Sequence, residues 1–180
     1  DKLKSRVCGT FFLPKNMEKR VAIQGYIGSY HHEAANNYLG NDIEIVECDT
    51  FKTLAKSLAK GKVDQAVMAI ENTIAGAILP NYALLTKYNL KIVGEVFLSI
   101  QHQLMVKKGK TLEDIHEVRS HQMAILQCDK FLEKHQNWKV VNDIDTALTA
   151  KDIVDQNLDN VAAIASRKAA EVYGLDILES

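Results

Sequence analysis

Three polar residues, Glu71-Asn72-Thr73, follow a short apolar run at residues 63–70 and precede Gly76. The apolar run is typical of a strand buried on both faces of a parallel sheet, and the residues after Gly76 predict a helix. Open α/β sheets bind ligands where amide and hydroxyl groups lie between a strand and a helix. Asn72, Thr73 and Gly76 are therefore candidates to bind an anion or a polar ligand; the alternative is a turn in which Asn or Thr caps the helix.

A second polar turn lies between a predicted strand at residues 19–24 and a predicted helix at residues 31–39. Its residues Gly28, Ser29 and Tyr30 would present backbone and hydroxyl groups at a helix start, which is a place where proteins bind anions. The glycine spacing is not the G-x-G-x-x-G fingerprint of dinucleotide-binding domains. We interpret the turn as a loop for an anion or another polar ligand.

Ser120 and His121 would be a nucleophile and a base if their side chains met. Neighbours in sequence rarely meet in that way, and no third orienting residue is evident. Ser120 can instead be the N-cap of a helix predicted at residues 123–135, in which Gln127 lies one or two turns from the start. The expected core contacts of this helix are Met123, Leu126, Phe131 and Leu132.

Thr146 follows Asp145, which is a good N-cap for another predicted helix. Helix starts carry free N–H groups that attract anions. The sequence thus predicts four helix starts with polar side chains, at Ser29, at Asn72-Thr73, at Ser120 and at Thr146. His121 joins them as a candidate for binding.

Composition excludes several classes of function. The net charge is −1 without a basic patch, which argues against a nucleic acid or a membrane surface as partner, and no apolar run approaches the ~20 residues of a membrane span. Neither the run at residues 31–33 nor the pair His116 and His121 has a zinc spacing. The three widely spaced cysteines, Cys8, Cys48 and Cys128, are typical of free thiols in a reducing compartment, and we expect the cytoplasm.

The order of elements predicts an α/β fold with two lobes. Strands and helices alternate up to residue 94, which favours a parallel sheet with right-handed crossovers. The long extended stretch at residues 91–106 (with Ile100, His102, Leu104 and Val106 on one side) can leave one lobe and enter another. We expect residues 17–94 and 161–180 in the first lobe, residues 95–160 in the second, and a ligand cleft between them. Residues 1–16, with Met17 as a natural start, are expected to be an extension outside the fold, natural or artificial.

Six segments of the chain resemble the prephenate dehydratase family, in the right order and spacing. Each segment is short, but together they cover nearly everything from Arg20 to Leu178. They are VAIQGYIGSYHHEAA at 21–35, AIENTIAG at 69–76, IVGEV at 92–96, RSHQMAILQC at 119–128, DTA at 145–147 and AAIASRKAAEVYGLDIL at 162–178. The resemblance implies a two-lobe cleft fold similar to type II periplasmic binding proteins.

The resemblance also implies an activity, the removal of CO2 and hydroxide from prephenate to give phenylpyruvate in phenylalanine biosynthesis. Because this step forms an aromatic ring, its driving force is intrinsic, and no redox cofactor and no metal are expected. The expected partner is the small dianionic substrate, and a homo-oligomer is expected. The family's substrate-contacting Asn, Ser and Gln fall on Asn72, Ser120 and Gln127. The loop Gly28-Ser29-Tyr30 and the helix start at Thr146 are similar to cleft positions.

Two departures from the family pattern are visible in the sequence. The usual Ser-His-Pro-Gln reads Ser-His-Gln-Met at residues 120–123, so the entry to that helix lacks a stiffening proline. The family's later Thr-Arg-Phe motif, whose threonine helps the hydroxide to leave, is not reached by Ser180. We therefore expect a truncated dehydratase domain without its regulatory domain. The alternative is a non-catalytic two-lobe module that binds a small carboxylate.

Overall fold

The structure, a computed structural model, describes residues 3–7, 19–73 and 76–180. The chain divides into two compact units. Of the described residues, the first unit comprises those up to Tyr26 and those from Tyr30 to Ile100, and the second comprises Ile27–Ser29 and Gln101–Ser180. Within the described residues, no helix is long and apolar enough to cross a membrane.

The strands alternate with helices along most of the chain. They are β1 (Leu3–Val7), β2 (Lys19–Gln24), β3 (Ile43–Cys48), β4 (Gln65–Val67), β5 (Ala69–Asn72), β6 (Gly76–Ala77), β7 (Phe97–Ile100), β8 (Gln103–Val106), β9 (Glu117–His121), β10 (Lys139–Asp143), β11 (Val161–Ala165) and β12 (Asp176–Glu179).

The helices are α1 (Tyr30–Leu39), α2 (Phe51–Ala59), α3 (Leu79–Lys87), α4 (Gln122–Gln127), α5 (Asp129–Leu132), α6 (Thr146–Asp155) and α7 (Arg167–Tyr173), with a short 3-10 helix at Leu112–Asp114. The α/β fold class predicted from the sequence is confirmed.

In the first unit, β2 pairs in parallel with β3 on one side and with β4 on the other. The central strand β2 is buried on both faces, because Val21 and Ile23 pack towards α1 while Ala22 packs towards α2 and α3. This arrangement confirms the predicted succession of parallel strands and helices. A second sheet of this unit has the order β6-β5-β1-β7.

The helix start expected at Asn72 and Thr73 is wrong. Strand β5 continues to Asn72, which pairs with Gly76 of β6 in an antiparallel hairpin. The helix predicted after Gly76 is confirmed: it begins at Leu79, with Pro80 in its first turn as proline geometry favours. Gly76 has a φ of +69°, a left-handed conformation that glycine adopts without strain.

The second unit contains a five-stranded sheet of order β10-β9-β11-β8-β12. Strands β9, β10 and β11 are mutually parallel, whereas β8 runs antiparallel to both β11 and β12. Helix α6 packs on this sheet through its small and branched buried residues, Ala147, Thr149, Ala150 and Ile153. A separate hydrophobic cluster of this unit, which contains no residue of α6, includes Leu104, Val118, Ala124, Trp138 and Ile164.

Three expectations about the lobes are corrected. Residues 161–180 belong to the second unit, because β11 inserts between β9 and β8 and β12 pairs with β8. Residues 95–100 belong to the first unit, because β7 pairs with β1. Residues 3–7 lie inside the fold as β1 instead of outside it. The rest of the expected extension lies outside the described residues.

The helix expected at residues 123–135 is two helices. Cys128, with φ −100° and ψ 9°, separates α4 from α5. Met123 and Leu126, predicted in the core, are 45% and 59% exposed, whereas Ala124 is buried. The break places Gln127 at the last position of a short helix.

Candidate ligand site at the carboxyl edge of the second sheet

The parallel strands of the second unit end together at one edge of the sheet. Strands β9, β10 and β11 end at His121, Asp143 and Ala165, and α4, α6 and α7 begin within three residues of those ends. Because β8 is antiparallel, its first residue Gln103 lies opposite Ala165, which brings His102 to the same edge. The carboxyl edge of parallel strands is the place where α/β sheets bind ligands.

Ser120 is fully buried at this edge, with 0% of its surface exposed. Its hydroxyl donates a hydrogen bond to the carbonyl of Ile164 in the neighbouring strand β11, at 2.5 Å. In this geometry the side chain links two strands and is not presented to a ligand. The resemblance implies a substrate contact for Ser120, whereas this geometry favours a structural role.

His121 is exposed and is the N-cap of α4. Its Nδ1 accepts a hydrogen bond from the backbone N–H of Met123 at 3.2 Å. The helix therefore begins without the proline that is usual in the family, because the imidazole satisfies one of its free N–H groups. A nucleophile–base pair of Ser120 and His121 is not formed, since each side chain is engaged with backbone.

Thr146 is the first residue of α6, as predicted, and Asp145 is its N-cap. The Asp145 carboxylate accepts from the N–H groups of Ala147 and Leu148, at 2.8 and 3.0 Å. Burial raises the pKa of Asp145, and these two bonds partly oppose that rise. The Asp145 carboxylate thus occupies two N–H groups of this helix start, and the half-buried Thr146 adds a hydroxyl beside them.

The turn residues Gly28 and Ser29 belong to the second unit and lie beside α7. The carbonyl of Gly28 accepts from the Ser166 hydroxyl, and the carbonyl of Ile27 accepts from the Tyr173 hydroxyl at 2.6 Å. Gly28 has a φ of +91°, and a Cβ there would lie 3.0 Å from the Cα of Ala169. This close approach, with the left-handed φ, explains the glycine at this position.

Gln127 lies half-buried at the end of α4, and its Oε1 is 2.6 Å from Nε2 of His102. Both residues line a cavity of about 270 Å³. The remaining lining residues are Leu104, Cys128, Lys130, Phe131, Ile164, Glu179 and Ser180. Burial lowers the pKa of His102, although its hydrogen bond with Gln127 acts in the opposite direction. The cavity therefore combines an apolar wall with a neutral imidazole, an amide, an ammonium and a carboxylate.

Four of the candidate residues lie in the first unit. Asn72 is half-buried at the end of β5, Thr73 is exposed in the following turn, and Gly76 is exposed at the start of β6. Tyr30 is the first residue of α1 and is half-buried. Asn72, Thr73 and Gly76 are thus brought together by one hairpin, and their role in binding stays a prediction.

The described residues contain no group of three or more His, Cys, Asp or Glu side chains that could hold a metal ion. Cys48 and Cys128 are free thiols, and burial raises the pKa of both. A raised pKa disfavours the thiolate, the form that reacts and binds metals. Cys8 lies outside the described residues.

Two residues that line the cavity, His102 and Lys130, are not among the site residues predicted from the sequence. The expected alternation put His102 and Leu104 on one side of an extended stretch, and both side chains do line the cavity. That pattern could have directed attention to His102, since a histidine among apolar neighbours of a strand needs a polar partner. No sequence signal points to Lys130, whose position depends on the break at Cys128.

The two units, with their parallel and antiparallel strand pairs and flanking helices, define an α/β protein with mixed sheets. The family model described as "Prephenate dehydratase" matches residues 21–180. The chain belongs to the prephenate dehydratase family.

Two of three similar proteins are described as dehydratases. The chain is 43% identical over 159 residues to "Arogenate dehydratase/prephenate dehydratase 2, chloroplastic" of Arabidopsis thaliana, covering 88% of the chain and 41% of the relative. A prephenate dehydratase from Arthrobacter aurescens, solved in complex with L-Phe, is 25% identical with a TM-score of 0.78 over 88% of the chain and 54% of its own. GqqA, called a novel type of quorum quenching acylase, is 30% identical with a TM-score of 0.80 over 89% of the chain and 58% of its own.

The chain spans about two fifths of the length of the Arabidopsis relative and somewhat more than half of the two solved structures. All three alignments cover nearly nine tenths of the chain itself.

Proposed function

We propose that this protein catalyses the decarboxylative dehydration of prephenate to phenylpyruvate, a step of phenylalanine biosynthesis. The observation that carries the proposal is the position of Gln127, the family's glutamine by motif, on a cavity of about 270 Å³ in the second unit. Family membership over residues 21–180 supports the same reaction class.

The chemistry requires little beyond positioning and electrostatic stabilisation. Prephenate carries two carboxylates and a ring hydroxyl; one carboxylate leaves as CO2, its bonding electrons enter the ring, and the hydroxyl departs with its electron pair. Aromatisation supplies the driving force. The protein must hold the remaining carboxylate, align the breaking bonds and stabilise the departing oxygen.

The second unit offers neutral donors and one cation for that task. Gln127 can donate through its amide, Thr146 through its hydroxyl, and Lys130 supplies a positive charge at the cavity wall. Removal of one preorganised donor of this kind costs about 3 kcal/mol of barrier, or roughly 10²-fold in rate. In the proposal Gln127 is the catalytic residue of this unit, and Ser120 holds β9 against β11.

Asn72 in the first unit is proposed to contact substrate through its amide, as the resemblance implies. His121, Thr73, Gly76 and the loop residues Gly28, Ser29 and Tyr30 complete the proposed binding set. We further propose that the protein acts in the cytoplasm, since its described cysteines are unpaired thiols. That it forms a homo-oligomer is proposed from the resemblance alone.

The test is the initial rate of phenylpyruvate formation from prephenate by the protein made from its complete gene. Gln127→Ala should lower kcat roughly 10²-fold. Gln156→Ala is the matched control, because Gln156 is an exposed glutamine at the end of α6 whose capping contacts are made by backbone. Equal rates for wild type and Gln127→Ala would remove Gln127 from the mechanism.

Substrate choice is tested in the same assay. The Arabidopsis relative is named for arogenate as well as prephenate, and arogenate carries an amino group where prephenate carries a keto oxygen. Formation of phenylalanine from arogenate, without phenylpyruvate from prephenate, would keep the reaction class and replace the proposed substrate. Binding of prephenate without any product would favour a non-catalytic carboxylate-binding module.

A further inference from the structure

We propose that His102 is a positioning residue for Gln127: its ring N–H holds the side-chain oxygen of Gln127, so that the amide NH2 group is presented to the cavity. The inference rests on the proposed function, because it assigns a task to Gln127 in that reaction. It begins from one contact, the 2.6 Å between His102 Nε2 and Gln127 Oε1.

The chemistry of the two atoms sets the direction of this hydrogen bond. An amide oxygen only accepts, so His102 Nε2 must carry the proton and donate it. Burial lowers the pKa of His102, so the ring is neutral at neutral pH and carries a single N–H. Gln127 therefore selects one tautomer of His102, and His102 selects one of the two orientations of the Gln127 amide.

The orientation matters because the two ends of an amide have opposite polarity. The NH2 end donates hydrogen bonds and stabilises a carboxylate or a departing oxygen, whereas the oxygen end would repel either one. A glutamine amide that no neighbour holds can turn by 180° and still occupy nearly the same volume. A donor that occupies the oxygen end removes the wrong orientation before substrate binds, which is preorganisation of the catalytic group.

The backbone that carries His102 is itself fixed. Gln103 is 1% exposed, and its Nε2 donates to the carbonyls of Gln101 and His102 at 3.2 and 3.1 Å. Its Oε1 accepts from Arg167 and from the Ser180 hydroxyl, each at 2.9 Å. The side-chain amide of Gln103 thus uses both ends to hold the start of β8, and His102 has a rigid base from which to orient Gln127.

Four variants test the inference by kinetics. His102→Leu removes the donor and should lower kcat about tenfold, with a smaller change in KM, because the amide then samples both orientations. His102→Gln retains an N–H donor and should recover most of that loss. The double variant with His102→Leu and Gln127→Ala should have a kcat no lower than that of Gln127→Ala alone, since the two residues act as one unit. The control is His116→Leu, because His116 is an exposed histidine immediately before β9.

Nuclear magnetic resonance supplies a readout that does not depend on turnover. Wild type should show the Nε2–H tautomer of His102 and two distinct side-chain amide proton signals of Gln127, identified by their loss in Gln127→Ala. His102→Leu should shift and broaden those signals while the backbone amide spectrum is retained.

The outcomes separate the two proposals. Multiplicative losses in the double variant, a His102→Gln variant as slow as His102→Leu, or the Nδ1–H tautomer in wild type would each overturn the role of His102. Absence of product from wild type, with the expected tautomer and amide signals, would overturn the proposed function and leave the His102–Gln127 pair established.

Discussion

The hydroxyl of Ser120 donates to the carbonyl of Ile164 at 2.5 Å, which joins β9 to β11 across the centre of the second sheet. Ile164 also lines the cavity that contains Gln127. The residue that the family resemblance assigns to substrate is thus, in this structure, a fully buried support of the strand that forms the cavity wall.

Ser120→Ala should therefore act mainly on stability. Loss of this buried hydrogen bond should lower the free energy of unfolding by about 1–3 kcal/mol, while kcat should change less than about threefold. Urea unfolding and initial rates of the same preparation check both values, with the exposed Ser99→Ala as the control. A fall in kcat of roughly 10²-fold at unchanged stability would return Ser120 to direct substrate contact.

His31 should make stability depend on pH. Burial lowers its pKa from 6.5 to about 4, although a backbone hydrogen bond with Gln24 opposes the shift. Its Nε2 is buried with no hydrogen-bond partner among the described residues. The imidazole of the unfolded chain therefore binds a proton more readily than the buried imidazole of the folded chain. The contribution of His31 to the stability of the folded state is fully present above pH 6.5 and is lost as the pH falls towards 4.

The loss attributable to His31 is at most about 3 kcal/mol. His31→Phe keeps an aromatic ring beside Phe51, with which His31 makes an edge-to-face contact at 5.4 Å. In denaturant titrations from pH 7 to pH 4, this variant should lose less stability than wild type. If stability fell with pH equally in wild type and in His31→Phe, the role of His31 in the pH dependence would be contradicted.

Gly28→Ala should destabilise the protein more than Gly40→Ala does. The two glycines have similar left-handed φ values, +91° and +86°, so the backbone strain of an alanine is about equal. Only at Gly28 would the new Cβ meet a neighbour, the Cα of Ala169 at 3.0 Å, whereas at Gly40 it would meet nothing within 4 Å. We expect Gly28→Ala to lower the free energy of unfolding by about 1–3 kcal/mol more than Gly40→Ala does, as measured by thermal or urea unfolding. Equal losses of unfolding free energy in the two variants would contradict the close approach at Gly28.

Local patterns in the sequence predicted much of this fold because their causes are local. The buried run of β2, the cap at Asp145 and the glycine at the end of α7 each follow from neighbouring residues, and each is present. The break at Cys128 and the burial of Ala124 instead of Met123 depend on which face of α4 meets the sheet. Propensity and spacing do not contain that tertiary choice.

The candidate site, like the fold, could be predicted from the sequence only in part. Motif residues located Gln127 and Thr146, but the partners that determine what those groups can do come from distant parts of the chain. His102 reaches Gln127 across 25 positions, and Ile164 reaches Ser120 across 44. The hairpin that pairs Asn72 with Gly76 replaced an expected helix start, because strand pairing depends on a partner and not on the residues of the turn alone.

The most direct test of the central claim is the joint release of CO2 and phenylpyruvate from prephenate by the protein from its complete gene. We expect one CO2 for each phenylpyruvate, at a rate well above that without protein, and we expect Gln127→Ala to lower that rate roughly 10²-fold. Prephenate that binds but yields neither product would contradict the proposed reaction, and a rate that Gln127→Ala leaves unchanged would contradict the proposed role of Gln127.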